Sequence, residues 1–409
     1  MSAARQSQGR PWLAVIGIGE DGVEGLAAAA RGLLRNAALV VGGARHLRLA
    51  DGLIGGERLV WPSPMTEAYP AILARAGQDV VVLASGDPFC FGVGSALARL
   101  VPVSEMVCIP APSAFALACG RLGWARQAVS TVSFCGRPIE AVIPLLQPGA
   151  RLLALSADGS TPGALASLLV ARGFGGSVLH VMEALGGPGE RVRTVGAKAV
   201  PGDVGALNLV GVEVIAGADA VVVPLSAGLP DGLFEHDGQL TKQEIRAVTL
   251  SALAPLAGER LWDVGAGSGS VAIEWCLRGE SCSAVAIEAR ADRAARAARN
   301  ALSLGAVGVE VVTGEAPGVL AGLARPDAVF VGGGLQRAGV LEAVWSALRP
   351  GGRLVANAVA LDTQAMLFEA QAARGGSLTR VAVERLDQIG SMRAFRPAMA
   401  VVQWAVVKP

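Results

Sequence analysis

Two glycine-rich turns carry the residues whose spacing points to chemistry. The first lies in Leu261–Glu274, LWDVGAGSGSVAIE: an apolar run stops at Asp263, then Gly265, Gly267 and Gly269 alternate with small residues before a second apolar run. That pattern is a strand, a tight loop and a helix start, the layout that grips nucleotide-like cofactors. A dinucleotide fingerprint calls for glycine or alanine where Ser270 stands, and a pyrophosphate is disfavoured by the acid two residues before the first glycine. S-adenosylmethionine (SAM) carries a sulfonium and an α-ammonium and no phosphate, so nearby carboxylates favour it. Glu288, ending the next apolar run, has the reach for a ribose diol, a role that NAD sites share. Gly314, Glu315 and Ala316 of GEAP, and Gly332 and Gly333 of PDAVFVGGG, extend the rim along the carboxyl edge of an open sheet. The residues favour SAM, with a dinucleotide or a purely structural turn as alternatives.

The second turn, VIGIGEDG at Val15–Gly22, opens a different region. From Trp12 to about Val214, short β-rich runs alternate with Ala/Leu-rich ones: WLAVIGIG, AALVVGG, DVVVLASGDP, EMVCIPAPSAF, ARLLALSADGSTP, SVLHVMEAL and ALNLVGVEVI. Such alternation predicts α/β layering, and a break near Pro102–Pro112 predicts two lobes with a cleft between them. Residues 216–232 lack a period and read as a linker. TKQEIRAVTLSALAPLAG then predicts a helix, with Thr241 and Glu244 at capping-box spacing and Ile245, Val248 and Leu256 on its apolar face. Further strands are expected at Leu261–Val264, Ala284–Glu288, Val309–Thr313, Ala328–Val331 and Arg353–Ala356, with a helix over Ala291–Leu304. The tail runs RVAVERL and AMAVVQWAVV predict an antiparallel hairpin closing the sheet.

Composition narrows the function classes. A chain of 409 residues predicts two or three domains. No apolar stretch reaches the roughly 18–20 residues that span a bilayer, and MSAARQSQGRPW has no h-region, so no membrane contact and a cytoplasmic location are expected. From Leu233 onward, 18 Lys+Arg face 17 Asp+Glu, which leaves 35 − 18 = 17 against 34 − 17 = 17 before it. Neither half has the basic footprint of a nucleic-acid binder. The six cysteines include no C-x-x-C pair, and with only His46, His180 and His236 no metal-ligand cluster or nucleophilic triad is legible.

The motifs resemble known families. SGDPFCFG at Ser85–Gly92, PAPSAF at Pro110–Phe115 and VIGIGEDG are similar to the tetrapyrrole methylase family over about Trp12–Val214. TKQEIRA, DVGAGSGS, IEAR, TGEAP, DAVFVGGG and GGRLVANAV resemble the class I methyltransferases of the corrin pathway, from about Leu233 to the end. The resemblance implies an α/β chain: a two-lobed tetrapyrrole methylase fold followed by a seven-stranded, Rossmann-like class I methyltransferase fold. Its divisions are an N-terminal extension 1–11, a methylase domain 12–215 (lobes about 12–106 and 107–215), a linker 216–232 and a methyltransferase/decarboxylase domain 233–409.

The implied activity is bifunctional. The N-terminal half would methylate meso carbon 5 of a precorrin; the C-terminal half would methylate carbon 15 and decarboxylate the ring C acetate. Two SAM sites per chain and a homo-oligomer follow from the same resemblance, and the cysteine and histidine composition adds the expectation of no metal. In the first half it implies SAM contacts at Gly17, Gly19, Gly86, Asp87, Phe91, Ser113 and Leu155, although Glu20–Asp21 stand where many members carry Pro-Gly. In the second it implies Thr241, Asp263, Gly265, Gly267, Gly269, Glu288, Gly314, Glu315, Ala316, Gly332 and Gly333. An enamine-like meso carbon is already nucleophilic, so transfer needs positioning and desolvation more than a strong base. The substrate's carboxylates call for cationic donors, for which Lys242, Arg246, Arg393 and Arg396 are the candidates, with Asn357 as a rim hydrogen-bonding group. A fused RNA methyltransferase, a non-catalytic N-terminal module and a NAD-dependent dehydrogenase are the rival readings.

Overall fold

The computed structural model describes residues 10–200, 202–279 and 281–409. Most of the expected 1–11 extension therefore lies outside the described residues. These described residues form two compact units, those up to 139 with 148–220, and 140–147 with those from 221 onward.

The N-terminal unit contains two sheets. β1 (Leu13–Ile18) is buried at every position, as a parallel strand covered on both faces requires. It lies in an all-parallel sheet with β2 (Leu39–Gly42), β3 (Glu57–Val60), β4 (Val80–Ser85) and β5 (Met106–Ile109), in the order β3-β2-β4-β1-β5. The second sheet holds β6 (Ser130–Ser133), β7 (Arg151–Leu155), β8 (Val178–Glu183), β9 (Arg191–Gly196) and β10 (Asn208–Glu213), in the order β6-β7-β10-β8-β9. Only the β6–β7 pair is parallel. β3, β6 and β9 are absent from the sequence expectations. They are edge strands, and β3 and β9 lack a buried face, so their residues carry little hydrophobic signal.

In the C-terminal unit, β11 (Arg260–Val264), β12 (Ser283–Glu288), β13 (Val309–Thr313), β14 (Ala328–Val331) and β15 (Arg353–Ala358) run parallel. The chain continues through β16 (Ser377–Val381), β17 (Glu384–Ile389), β18 (Met392–Pro397) and β19 (Val401–Val407). The seven-stranded order is β13-β12-β11-β14-β15-β19-β16, as the class I methyltransferase fold requires. Strand order reverses between β11 and β14, which opens a ligand crevice at the carboxyl ends. β16 and β19 do pair antiparallel, but an unforeseen, separate hairpin of β17 and β18 intervenes. Its residues are almost all exposed, so no core pattern marks it.

The helix Gln243–Leu253 corrects two expectations. Its N-cap is Lys242, with no side-chain cap bond, so the Thr241–Glu244 capping box does not form; Glu244 instead pairs with Arg385 of β17. Its buried stripe is Arg246, Thr249, Leu250 and Leu253 rather than Ile245, Val248 and Leu256. Val248 is exposed, and Leu256 lies beyond the helix end. An arginine and a threonine occupy core positions that a hydropathy pattern scores as surface.

Candidate functional site

In the N-terminal unit the ends of β1 and β4 lie side by side, with Ile18 opposite Ser85. A Cβ on Gly17 would collide with the Gly86 carbonyl and the Ala111 amide, so only glycine lets the two loops close over the strand. Beside them is a cavity of about 430 Å³, within the ~300–1,000 Å³ usual for small-molecule sites. Its wall includes Gly19, Gly86, Phe91, Ser113 and Leu155, but not Gly17 or Asp87. Asp87 Oδ1 accepts the Phe89 amide at 2.9 Å and so braces the Gly86–Gly92 loop. Phe91 adopts φ +54°, unusual for a bulky residue, and its half-exposed ring stands edge-on to Phe115 at 5.8 Å. Ser113 caps the helix Ala114–Leu122 by accepting the Ala116 amide at 3.2 Å.

The same cavity holds a polar cluster that sequence reading missed. Arg45 Nη2 lies 2.9 Å from His46 Nε2 and donates to Ser85 Oγ at 2.8 Å, while Nη1 pairs with Glu20. Burial, and then the Arg45 charge, push the His46 pKa down to about 4, so the imidazole is neutral near pH 7. The signal was GGARHL, directly after β2, and its partners are far apart in sequence.

In the C-terminal unit the three glycines all take left-handed conformations. A Cβ on Gly265 would sit 2.7 Å from the Gly333 carbonyl oxygen, so strand ends meet there backbone to backbone. Gly267 has only the Gln239 carbonyl oxygen near its Cβ position, at 3.4 Å, leaving an open cradle. Glu288 braces that cradle: Oε2 accepts the Gly267 amide and Oε1 the Arg290 amide, each at 2.9 Å. Asp263 is 1% exposed; its Oδ2 accepts the Ala272 amide at 3.0 Å, and its Oδ1 is buried without a partner. Burial, opposed by the Ala272 bond and aided by the Glu288 charge, raises its pKa to about 7. Asp263 Oδ1 is thus a buried acceptor that no cation of the protein holds, on the strand end just before the glycine turn, an arrangement that suits the cationic donors of SAM better than a pyrophosphate.

The remaining expected residues divide. Gly314 donates to the Glu288 carbonyl at 2.9 Å and Gly332 to the Val264 carbonyl at 3.0 Å, so both lie on the rim with Gly333 and Ala316. Glu315 pairs with Arg337 at the surface. Lys242 lies 3.8 Å from Asp231 at the helix start, beside Thr241. Arg393 and Arg396 lie on β18, exposed and on opposite faces; Arg396 pairs with Asp387 at 2.8 Å. Asn357 ends up beside Gly332 at the carboxyl edge, and its amide bonds Thr249 and Gln403.

Arg246 requires a correction. It is fully buried, and its donors go to Glu274, Asp231 and the Leu229 and Thr241 carbonyls, over the Phe234 ring at 4.7 Å. With five N–H groups spread over five acceptor contacts, it has no donor left for a substrate carboxylate.

Residues 13–200 match the Tetrapyrrole (Corrin/Porphyrin) Methylases and residues 232–408 the Precorrin methyltransferase domain, so the chain is a two-domain, SAM-dependent methyltransferase. A relative from Sinorhizobium sp, precorrin-6Y C(5,15)-methyltransferase [decarboxylating], is 54% identical, covering 97% of this chain and 97% of its own. This chain belongs to the precorrin-6Y C(5,15)-methyltransferase [decarboxylating] family. Two relatives match shorter stretches. A probable cobalt-precorrin-6B C(15)-methyltransferase (decarboxylating) of Pyrobaculum calidifontis is 35% identical over 44% of this chain and 96% of its own. The cobalt-precorrin-7 C(5)-methyltransferase of Salmonella typhimurium is 29% identical over 47% of this chain and 94% of its own. Among the described residues no acid, histidine or cysteine group could hold a metal, and no helix is long and apolar enough to cross a membrane.

Proposed function

We propose that the chain methylates carbons 5 and 15 of a precorrin and decarboxylates its ring C acetate, using one SAM site in each domain. The observation that carries this is the presence of two separately built sites, the 430 Å³ cavity of the first unit and the glycine cradle of the second. Supporting the division of labour, relatives named for single activities each align along nearly their whole length with under half of this chain. The N-terminal domain takes carbon 5, and the C-terminal domain takes carbon 15 and the decarboxylation. The rival RNA, dehydrogenase and single-site readings have no support among these relatives.

SAM supplies an electrophilic methyl group. In the C-terminal domain, Asp263 offers its free Oδ1 to a cationic donor, the Gly265–Gly269 turn admits the ligand against backbone, and Glu288 faces the ribose. In the N-terminal domain Phe91, Phe115 and Leu155 give the cavity apolar walls, which would shield the reacting atoms from water once a substrate covers them and so favour transfer to a carbon nucleophile. Gly17, Gly19, Gly86 and Ser113 shape the donor pocket there, and Asp87 keeps its loop in place. Lys242, Arg393 and Arg396 are the cationic groups offered to substrate carboxylates. The reading includes a cytoplasmic homo-oligomer, which light scattering and cell fractionation test.

Calorimetric titration with S-adenosylhomocysteine tests the site count. Two sites are expected in the wild type, one in Gly267→Arg and one in Leu207→Arg, a cavity-wall substitution. In single-turnover assays Gly267→Arg should lose carbon dioxide release and keep carbon 5 methylation, and Leu207→Arg the reverse. Retention of both activities in either variant refutes the division.

A further inference from the structure

Three polar side chains from three elements meet beneath the carboxyl edge of the seven-stranded sheet. Thr249 comes from the helix Gln243–Leu253, Asn357 from β15 and Gln403 from β19, where Asn357 and Gln403 are register partners. Thr249 is 0% exposed and Gln403 5%. The Thr249 hydroxyl donates to the Ile245 carbonyl at 2.8 Å. Its single proton is then used, so Thr249 Oγ1 can only accept from its other neighbours. Asn357 Nδ2 at 2.9 Å and Gln403 Nε2 at 3.1 Å are those donors. Gln403 Nε2 also donates to Asn357 Oδ1 at 3.0 Å.

This wiring allows one orientation of the Asn357 amide. Turned over, Asn357 would set its oxygen against a hydroxyl with no proton to give, and its NH2 against the NH2 of Gln403. In the orientation present, Oδ1 and one Nδ2 proton are held by protein, and the other Nδ2 proton is uncommitted. The setting is otherwise apolar, with Leu250, Leu253 and Val355 packed in the same cluster. Three polar groups there are tolerated only when mutually satisfied, and they make a stiff mount.

The mount faces the site. Val331 and Ala356 are register partners, so Asn357 follows beside Gly332, and β11 with its glycine turn lies two strand spacings away, ~10 Å. Asn357 keeps partial exposure while both partners are buried. A macrocycle placed over the rim for methyl transfer would span that distance.

We propose that Thr249 and Gln403 are positioning residues that orient Asn357 so that its remaining Nδ2 proton donates to a carboxylate of the tetrapyrrole substrate. The proposal rests on the C-terminal domain being the site of carbon 15 methylation and decarboxylation. Neither positioning residue touches the substrate; each fixes which end of the Asn357 amide is presented.

The test uses the full-length protein and the variants N357A, N357D, Q403E, Q403M and T249V. It reads kcat and KM for carbon dioxide release, S-adenosylhomocysteine affinity, melting temperature, and carbon 5 methylation as an internal control. Q403E replaces the NH2 facing Asn357 by an acceptor, so the introduced carboxylate and Thr249 Oγ1 compete for the Asn357 NH2 and the single orientation that presents the donor is lost. A lost hydrogen bond to a charged group predicts a roughly 10–100-fold fall in kcat/KM, mainly through KM, for N357A and Q403E. S-adenosylhomocysteine affinity should stay within about twofold, because the donor turn is two strands away. The double variant N357A/Q403E should be no worse than N357A, since both remove the same bond.

Additive losses, or an unchanged kcat/KM in folded Q403E, overturn the proposal. If Q403E does not fold, Q403M and T249V, which release the amide without a buried charge, carry the same comparison against N357A. N357D separates the acceptors: a substrate carboxylate makes it worse than N357A, and equal values assign the contact to a neutral ring nitrogen and overturn the carboxylate. The underlying division fails separately, if Gly267→Arg still releases carbon dioxide.

Discussion

Asp263 reaches across the first glycine turn to take the Ala272 amide on Oδ2 at 3.0 Å, which strands Oδ1 in the interior. An N-terminal helix amide thus orients a carboxylate that the protein leaves half-used. Because burial raises this acid to about 7, the folded state binds a proton that the unfolded chain releases from about pH 4 upward. Its contribution to stability is therefore full below pH 4 and falls as pH rises toward 7, by on the order of a few kcal/mol. Asp263→Asn should remove that slope from thermal melts of the C-terminal domain. The same variant should weaken SAM binding at that site by roughly 10–100-fold, as for a lost charge-assisted bond. Titration near pH 6 in buffers of different ionisation enthalpy should show wild type, and not the variant, releasing a proton on binding.

Arg246 and Glu274 form a fully buried pair that fastens the segment before the helix. Glu274 also accepts the Gly228 amide at 2.7 Å and the Leu229 amide at 2.8 Å. Removing one partner of such a pair costs about 3–5 kcal/mol, because the other charge stays buried. Arg246→Met should lower the melting temperature of the C-terminal domain by roughly 10 °C. Calorimetry with resolved transitions checks that the N-terminal domain is unmoved. Arg246→Met/Glu274→Leu should be less damaged than Arg246→Met alone.

His46 gives the N-terminal domain the opposite pH response. Its folded pKa, about 4, lies below the unfolded 6.5, so the native state prefers the neutral ring. The stability this lends is complete above pH 6.5 and is lost as pH falls toward 4, by up to ~3 kcal/mol. Arg45 opposes protonation of the ring, and Glu20 sits on the far side of Arg45. Between pH 7 and pH 5 the N-terminal melting transition should drop, and His46→Gln should flatten that drop. An equal drop in the variant would assign the effect to other groups.

The elements legible in the sequence are those governed by one strong local preference. β1 announces itself through an unbroken apolar run, β11 through an apolar pair that stops at Asp263, and the glycine turns through small residues after a strand. Asp263, Gly267 and Glu288 could be grouped because open-sheet topology brings successive strand ends together. Arg246 was misplaced since a pattern of polar and apolar letters cannot register an arginine whose partners lie 15 and 28 residues away. The Arg45, His46 and Ser85 cluster spans about 40 residues, and Asn357 depends on Thr249 at a separation of 108. These contacts exist only after the sheets assemble. The β17–β18 hairpin lacks a core face, so nothing in its hydropathy separated it from loop.

Gly17 offers the most economical dissection of the two domains. It lies inside β1, and any side chain would strike the Gly86 carbonyl and the Ala111 amide, both backbone groups held in their own loops. Backbone cannot step aside as a flexible side chain can, so the Gly86–Gly92 loop must shift. Gly17→Ala should therefore disturb the cavity wall formed by Gly86 and Phe91 while leaving the seven-stranded sheet intact. The expected result is one SAM site instead of two, loss of carbon 5 methylation, and carbon dioxide release within about twofold of wild type. Crystallography or hydrogen exchange on the variant should localise the change to the loops after β1 and β4. Full carbon 5 methylation with a displaced loop would instead mean that the cavity is not where that reaction takes place.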